Sequence, residues 1–478
     1  MPSPLNLALC ALATTSLLDL AASSPLPAAS SSDAATPLLT VPLKRRANAH
    51  SALNRRDQAS YLRKAAHMRG KYGGWAPGSK HNSSAGATAH QRRQNSIDMT
   101  SYQDSEWYGE IDVGTPATAF SVVLDTGSAD LILAEPDCSG CQTTTPGYDP
   151  NTSSTSSTSE ASFQITYGSG DGSGSLVKDT VSIANYTQPD QIFAACSTLN
   201  NIVDGTISGI LGLAFQEIAS SQAVPLVESL ANNGTLPEQV FGFAFETHVF
   251  TTASATTAPG GTLTIGGVDT SAYSGSINWV NLASKGYWSI PLDAVTVGGT
   301  DIGLSFDQVV IDTGTTLIGM PTSAAESIYA QIPNSQAINL DGESGYYAFP
   351  CSQTVDVTLT FGGVSYAIDS DQFNAGAVSR SGSLCLGAVF ALETGSDSIS
   401  VIIGDAFLTG VYNAYRFSPT PAVGFATLGS GGTANTGSST ASESGSGGTS
   451  GAVAVGKVGV KGAAAASFLA VGVAAFLA

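Results

Sequence analysis

Histidine is nearly missing from most of this chain. Four of its five histidines (His50, His67, His81, His90) fall before Arg93, which leaves His248 alone in the remainder. An imidazole-based hydrolase triad, or a zinc site built on histidines, has almost no material there. His248 itself, in Glu246-Thr247-His248-Val249, reads as a structural residue at a strand end or loop. Basic residues are scarce too: residues 94–478 hold six of the 18 Lys/Arg but 34 of the 37 Asp/Glu. A body this acidic repels phosphate, which argues against nucleic acid as a partner. Cysteine is sparse as well, six in 478 residues, one of them (Cys10) in an apolar leader. Cys138-Ser139-Gly140-Cys141 lacks the second ligand pair of a zinc site and the surroundings of a redox motif. No metal and no cofactor is expected. Cys196, after Phe193-Ala194-Ala195, reads as a buried free thiol.

What the chain does have is a repeated tripeptide. Val122-Val123-Leu124-Asp125-Thr126-Gly127-Ser128 and Val309-Val310-Ile311-Asp312-Thr313-Gly314-Thr315 stand 187 residues apart. A carboxylate directly after a β-branched run and before a glycine is an odd choice unless it does chemistry. The repeat extends further. Ile210-Leu211-Gly212 ends 87 residues after Asp125, and Ile402-Ile403-Gly404 ends 92 residues after Asp312. A period of domain size indicates a duplicated lobe rather than a solenoid. Two carboxylates within hydrogen-bonding distance cannot both ionise easily, so they share one proton and titrate as a pair. One can then take a proton from water while the other donates to a scissile carbonyl oxygen. Gly127 and Gly314 allow the turn after each Asp. Ser128 and Thr315 can hold the outer carboxylate oxygens, although each alone also fits a turn-stabilising hydroxyl.

These motifs resemble the pepsin-like aspartic endopeptidases over residues 101–428. Supporting segments are Tyr108-Gly109, Val113-Gly114-Thr115-Pro116, Ile165-Thr166-Tyr167-Gly168-Ser169-Gly170, Gly286-Tyr287-Trp288 and Ile403-Gly404-Asp405-Ala406-Phe407. The resemblance implies an all-β, bilobal fold of two related β-lobes with the cleft between them. It implies Asp125 and Asp312 as the catalytic pair, with Thr126 and Thr313 cross-linking the two loops. Tyr167, Gly168 and Ser169 would form a flap over substrate, which Gly127, Gly314 and Thr315 would also contact. It further implies the bridges Cys138–Cys141 and Cys351–Cys385, protein and peptide substrates, and a monomer. Two departures stand out. Many relatives carry Trp seven residues after the first catalytic Asp, where this chain has Ile132; and Arg416 replaces a common acid. A catalytically inactive binding or inhibitor protein is the alternative function; loss of either Asp-Thr-Gly would mark it, and both are intact.

Composition divides the rest. Residues 1–22 resemble a secretory signal without a basic n-region. Residues 23–93 form a basic block containing Lys44-Arg45-Arg46, Arg55-Arg56 and Arg92-Arg93. Its charge complements the acidic body, as expected of an inhibitory propeptide released near Gln94, with Lys71-Tyr72 approaching the pair. Residues 94–270 and 271–428 are the expected N- and C-terminal β-lobes, with short strands punctuated by turn residues and helices near residues 225–232 and 323–331. Residues 429–456, rich in Gly, Ser and Thr, cannot bury a core and read as a stalk. Residues 457–478 end in an apolar tail resembling a glycosylphosphatidylinositol (GPI) attachment signal, with a C-terminal transmembrane tail as the runner-up reading. The expected destination is the secretory route to the cell surface or exterior, with the vacuole as alternative. Asn151, Asn185 and Asn233 are glycosylation acceptors by motif.

Overall fold

A computed structural model describes residues 39–45 and 107–429, apart from 168–169, 204, 206, 247–257, 341, 379–381 and 395–398. The expected leader, Lys71, the Arg92-Arg93 pair, Gly168, Ser169, His248, the stalk and the apolar tail lie outside the described residues.

Each half is built on the same small piece of sheet. In the first, strand Thr118–Asp125 runs parallel to Gly209–Gly212, with Asp125 opposite Gly212. Strand Leu131–Ser139 flanks Gly209–Gly212 on its other side, antiparallel. In the second, Phe306–Ile311 runs parallel to Ile402–Ile403, and Ile318–Met320 flanks the latter antiparallel. The repeated apolar pair is therefore a strand threaded between the two arms of each Asp-Thr-Gly loop. Val122, Leu124, Val309, Val310 and Ile311 are all fully buried. A strand covered on both faces has no polar side, so these runs are continuously apolar instead of alternating. The terminal glycines are fixed by crowding. A Cβ at Gly212 would lie 2.4 Å from the Ala129 carbonyl carbon, and one at Gly404 would lie 2.2 Å from the Thr315 oxygen.

A single sheet joins the halves. Its base runs, in order, through Tyr273–Asn281, Ala422–Leu428, Val411–Arg416, Val240–Phe245, Ala258–Ile265 and Leu39–Arg45. The remaining second-half strands form one five-stranded and two four-stranded sheets. Aromatic rings fill the space between the halves: Phe215 lies 4.4 Å from Trp288, and Phe241 stacks on Tyr415 at 4.9 Å. Trp288 Nε1 donates to the Leu213 carbonyl at 3.0 Å, so the indole is buried with its one polar group satisfied. Each such ring contributes about 1.5–3 kcal/mol by leaving water.

Helices Leu226–Asn232 and Thr322–Tyr329 occupy the expected places, each entered through a proline, Pro225 or Pro321. Cys138–Cys141 and Cys351–Cys385 are bridged, and Cys196 is a buried free thiol. Burial foremost, then the charges of Glu135 and Asp130, pushes the Cys196 thiol up to about 12, so it stays protonated and unreactive. Ile132 is fully buried and pairs with Ile210 and Ala194.

Leu39–Arg45 was not foreseen as part of the body. It pairs along Ala258–Ile265 from Leu39↔Ile265 to Arg45↔Ala258 and touches the neighbouring strand only at Lys44↔Tyr108. That one-sided pairing lets Pro42, which lacks an N–H, sit in a strand.

Candidate active site

The two Asp-Thr-Gly loops meet through their threonines. Thr126 Oγ1 donates to the Ile311 carbonyl at 2.9 Å and accepts from Thr313 N at 3.0 Å. Thr313 Oγ1 donates to the Leu124 carbonyl at 2.7 Å and accepts from Thr126 N at 3.1 Å. All four bonds are buried and cross between the halves. A threonine hydroxyl can donate and accept at once, so two residues suffice for the lattice.

The carboxylates are cradled alike. Gly127 N donates to Asp125 Oδ1 at 2.9 Å, and Gly314 N donates to Asp312 Oδ1 at 2.9 Å. Ser128 Oγ donates to Asp125 Oδ2 at 2.5 Å, and Thr315 Oγ1 to Asp312 Oδ2 at 2.7 Å. Asp125 and Asp312 are 1% and 0% exposed, so both acids are withdrawn from bulk water. A Cβ on Gly314 would stand 2.3 Å from Asp125 Oδ1, which sets the first carboxylate directly against the second loop. Neither Gly127 nor Gly314 has a positive φ. The role of Gly314 is thus to admit the opposite carboxylate, not to supply a left-handed turn.

Tyr167 ends strand Ser157–Tyr167 and is buried. Its phenol is raised well above its ordinary value, by burial first and then by the charges of Asp125 and Asp130, while the neighbouring Ser128 hydroxyl partly offsets this. Tyr167 therefore lies beside the serine that holds Asp125. Gly168 and Ser169 fall outside the described residues.

Three supporting residues were assigned no role from the sequence. Tyr415, on strand Val411–Arg416, is raised well above its ordinary value by burial, with the Thr126 hydroxyl offsetting and Asp312 and Asp405 adding to the shift. It underlies the threonine lattice from a position 103 residues beyond Asp312. Asp405 is buried, and its N–H donates to the Thr315 carbonyl at 2.7 Å. Asp130 is buried and accepts from Ser220 N at 2.8 Å and Ser221 N at 3.0 Å, pinning the loop after the first carboxylate. Only Asp405 carried a signal, its place beside Ile403-Gly404. Asn151, Asn185 and Asn233 are all exposed. Among the described residues no group of three or more His, Cys, Asp or Glu could hold a metal ion.

A pair of buried carboxylates, each held by a matched backbone N–H and hydroxyl donor, is suited to acid–base activation of water. The family model "Eukaryotic aspartyl protease" matches residues 106–428. The chain belongs to this family. Major aspartyl peptidase 1 of Cryptococcus neoformans var. grubii is 40% identical over 349 residues, covering 70% of this chain and 71% of that protein. An aspartic protease of Phaffia rhodozyma is 34% identical, covering 69% and 79%. Pepsin A of Sus scrofa is 31% identical, covering 66% and 80%. The chain is an aspartic endopeptidase with the all-β, bilobal pepsin-like fold. Among the described residues no helix is long and apolar enough to cross a membrane.

Proposed function

We propose that Asp125 and Asp312 are the catalytic pair of an acid endopeptidase made as a zymogen. The observation that carries this is the threonine lattice, which holds the Asp125 carboxylate against Gly314 of the opposite loop. Like charges so close share one proton, as aspartic-peptidase pairs generally do. The ionised carboxylate takes a proton from water, whose oxygen adds to the scissile carbonyl carbon. The protonated carboxyl gives its proton to the carbonyl oxygen. The tetrahedral intermediate then collapses with cleavage of the C–N bond: the proton taken from water passes to the leaving amine, and a hydroxyl of the intermediate returns its proton to the carboxylate that had donated one. Ser128, Thr315, Gly127 N and Gly314 N hold both carboxylates in place through these transfers. Tyr167 covers the first carboxylate, helping to exclude water.

Residues 23–93 are the pro-segment in this reading, removed near Arg92-Arg93. Its Leu39–Arg45 stretch, paired along Ala258–Ile265, supports a pro-segment that folds with the body. Acid releases it by protonating the body carboxylates that attract it. The leader, stalk and apolar tail support an enzyme held at the outer cell surface on a GPI anchor, with Asn151, Asn185 and Asn233 as its glycan acceptors.

The test of the catalytic assignment is Asp125→Asn and Asp312→Asn, each purified free of other proteases. Each variant keeps its circular dichroism spectrum and loses peptide hydrolysis by about 1,000-fold or more. Near-parental cleavage by either one overturns the assignment.

A further inference from the structure

A cavity away from the dyad lies on the base sheet. It has a volume of about 720 Å³ and is walled by Glu238, Val240, Tyr273, Ile277, Trp279 and Arg416. That size is typical of a small-ligand site. One wall is made by a bulge: Ser274 pairs with Thr427 and Asn278 with Phe425, so residues 275–277 arch out of register, and Gly275 takes a φ of +79°. Tyr273, Ile277 and Trp279 are half-buried around a small apolar floor of Val240, Tyr412, Ala414 and Ala426.

Arg416, the departure noted in the sequence, is the informative residue. Its guanidinium lies over the Trp279 ring at 4.6 Å, and its Nε donates to the Thr420 carbonyl at 3.1 Å. Those two contacts fix the plane of the fork and use one of its five donors. Only Lys178, Lys285, Arg380 and Arg416 are cationic between Gln94 and Gly429, on a chain rich in carboxylates. Even so, among the described residues neither Arg416 nor Glu238 takes part in an ion pair. Arg416 pairs with Val240 across adjacent strands, and Glu238 lies two residues further along. The pocket thus presents a positive and a negative group that are not paired with each other, beside apolar walls.

We propose that this pocket binds a short zwitterionic peptide with apolar side chains. The ligand's carboxylate takes the Arg416 fork, its ammonium faces Glu238, and its side chains lie on Tyr273, Ile277 and Val240. Endopeptidase action generates peptides with both termini charged, so the enzyme's own short products belong to this class. Both ligand charges persist at mildly acid pH, since a terminal carboxyl titrates near about 3.5 and a terminal amine near about 8. The site stands apart from the dyad: successive strand residues face opposite sides, and Tyr415, next to Arg416, faces Asp312 instead.

The probe is leucyl-leucine, titrated calorimetrically into the full chain at about pH 5.5, with N-acetyl-leucyl-leucine amide as the uncharged comparison. Saturable binding is expected for the dipeptide. Affinity falls about tenfold in Arg416→Gln and in Glu238→Gln, and by at least as much for the uncharged probe, because a charge-assisted contact is lost each time. Neither residue belongs to the catalytic machinery, so both variants keep parental peptide hydrolysis, which also reports that they fold. Glu238 is exposed, so its variant decides the matter even if Arg416→Gln does not fold. Absence of dipeptide binding, or equal affinity in parent and Glu238→Gln, overturns the proposal.

Discussion

The two Asp-Thr-Gly loops make the same bonds in different surroundings. Each donates a backbone N–H and a hydroxyl to its carboxylate, and each threonine reaches the opposite loop. The first loop, however, has Tyr167 beside its hydroxyl, whereas the second has Asp405 bonded to its Thr315 carbonyl. The halves also differ in their acid-sensitive bonds. Asp179 of the first half is fully buried and accepts from Tyr148 Oη at 2.8 Å, Thr155 Oγ1 at 2.6 Å and Thr180 N at 2.7 Å. Glu393 of the second is exposed and accepts from Thr322 N at 3.1 Å and Oγ1 at 2.7 Å. Duplication thus preserved what holds the carboxylates and let the supports around them diverge.

The largest effect is expected where the halves are most alike. Thr126→Ala combined with Thr313→Ala removes four buried bonds across the halves and lowers unfolding stability by about 3 kcal/mol. Because each threonine serves both loops, the single variants together should cost more than the double. A denaturant series on all three variants checks this, and strict additivity would mean the loops are independent.

Asp179→Asn separates the halves by acid sensitivity. Burial alone would raise this carboxyl, but bonds from Thr155, Ser153, Tyr148 and Thr180 hold it below its ordinary 3.8. A lowered folded value means the stabilisation is present above the unfolded pKa and is lost as pH falls through the folded one. The variant should therefore lose about 2 kcal/mol at pH 5, with the deficit shrinking below about pH 4. Glu393 is lowered by its Thr322 bonds, but it lies in solvent. Glu393→Gln should consequently shift Tm far less than Asp179→Asn at pH 5, and equal shifts would contradict the contrast.

Tyr167→Phe probes the first loop alone. It keeps the ring and removes the hydroxyl beside Ser128, so kcat/KM should fall about tenfold with stability nearly unchanged. An unaltered rate would mean the tyrosine only fills space.

The residues legible in sequence were those whose chemistry is local. Asp125, Thr126, Gly127 and Ser128 form one continuous stretch, and so do Asp312 to Thr315, so the repeat could be seen without any knowledge of packing. The threaded strands were legible because Gly212 and Gly404 are fixed by crowding within their own half. Tyr415, Asp130 and the bond from Trp288 to Leu213 were not legible. Each acts through a contact formed only when distant strands pack, and none sits in a pattern of its own. Leu39–Arg45 was hidden for another reason: its composition belongs to the basic block, while its pairing partner lies more than 200 residues away.

In the proposed mechanism two buried carboxylates share a proton and act as one unit. Its most direct test is kcat/KM against pH for the matured enzyme. A bell with its maximum on the acid side is predicted, falling towards neutrality as the pair loses its shared proton and falling again in stronger acid as the second carboxylate is protonated. Activity that rises through pH 7 and stays on a plateau would contradict the account.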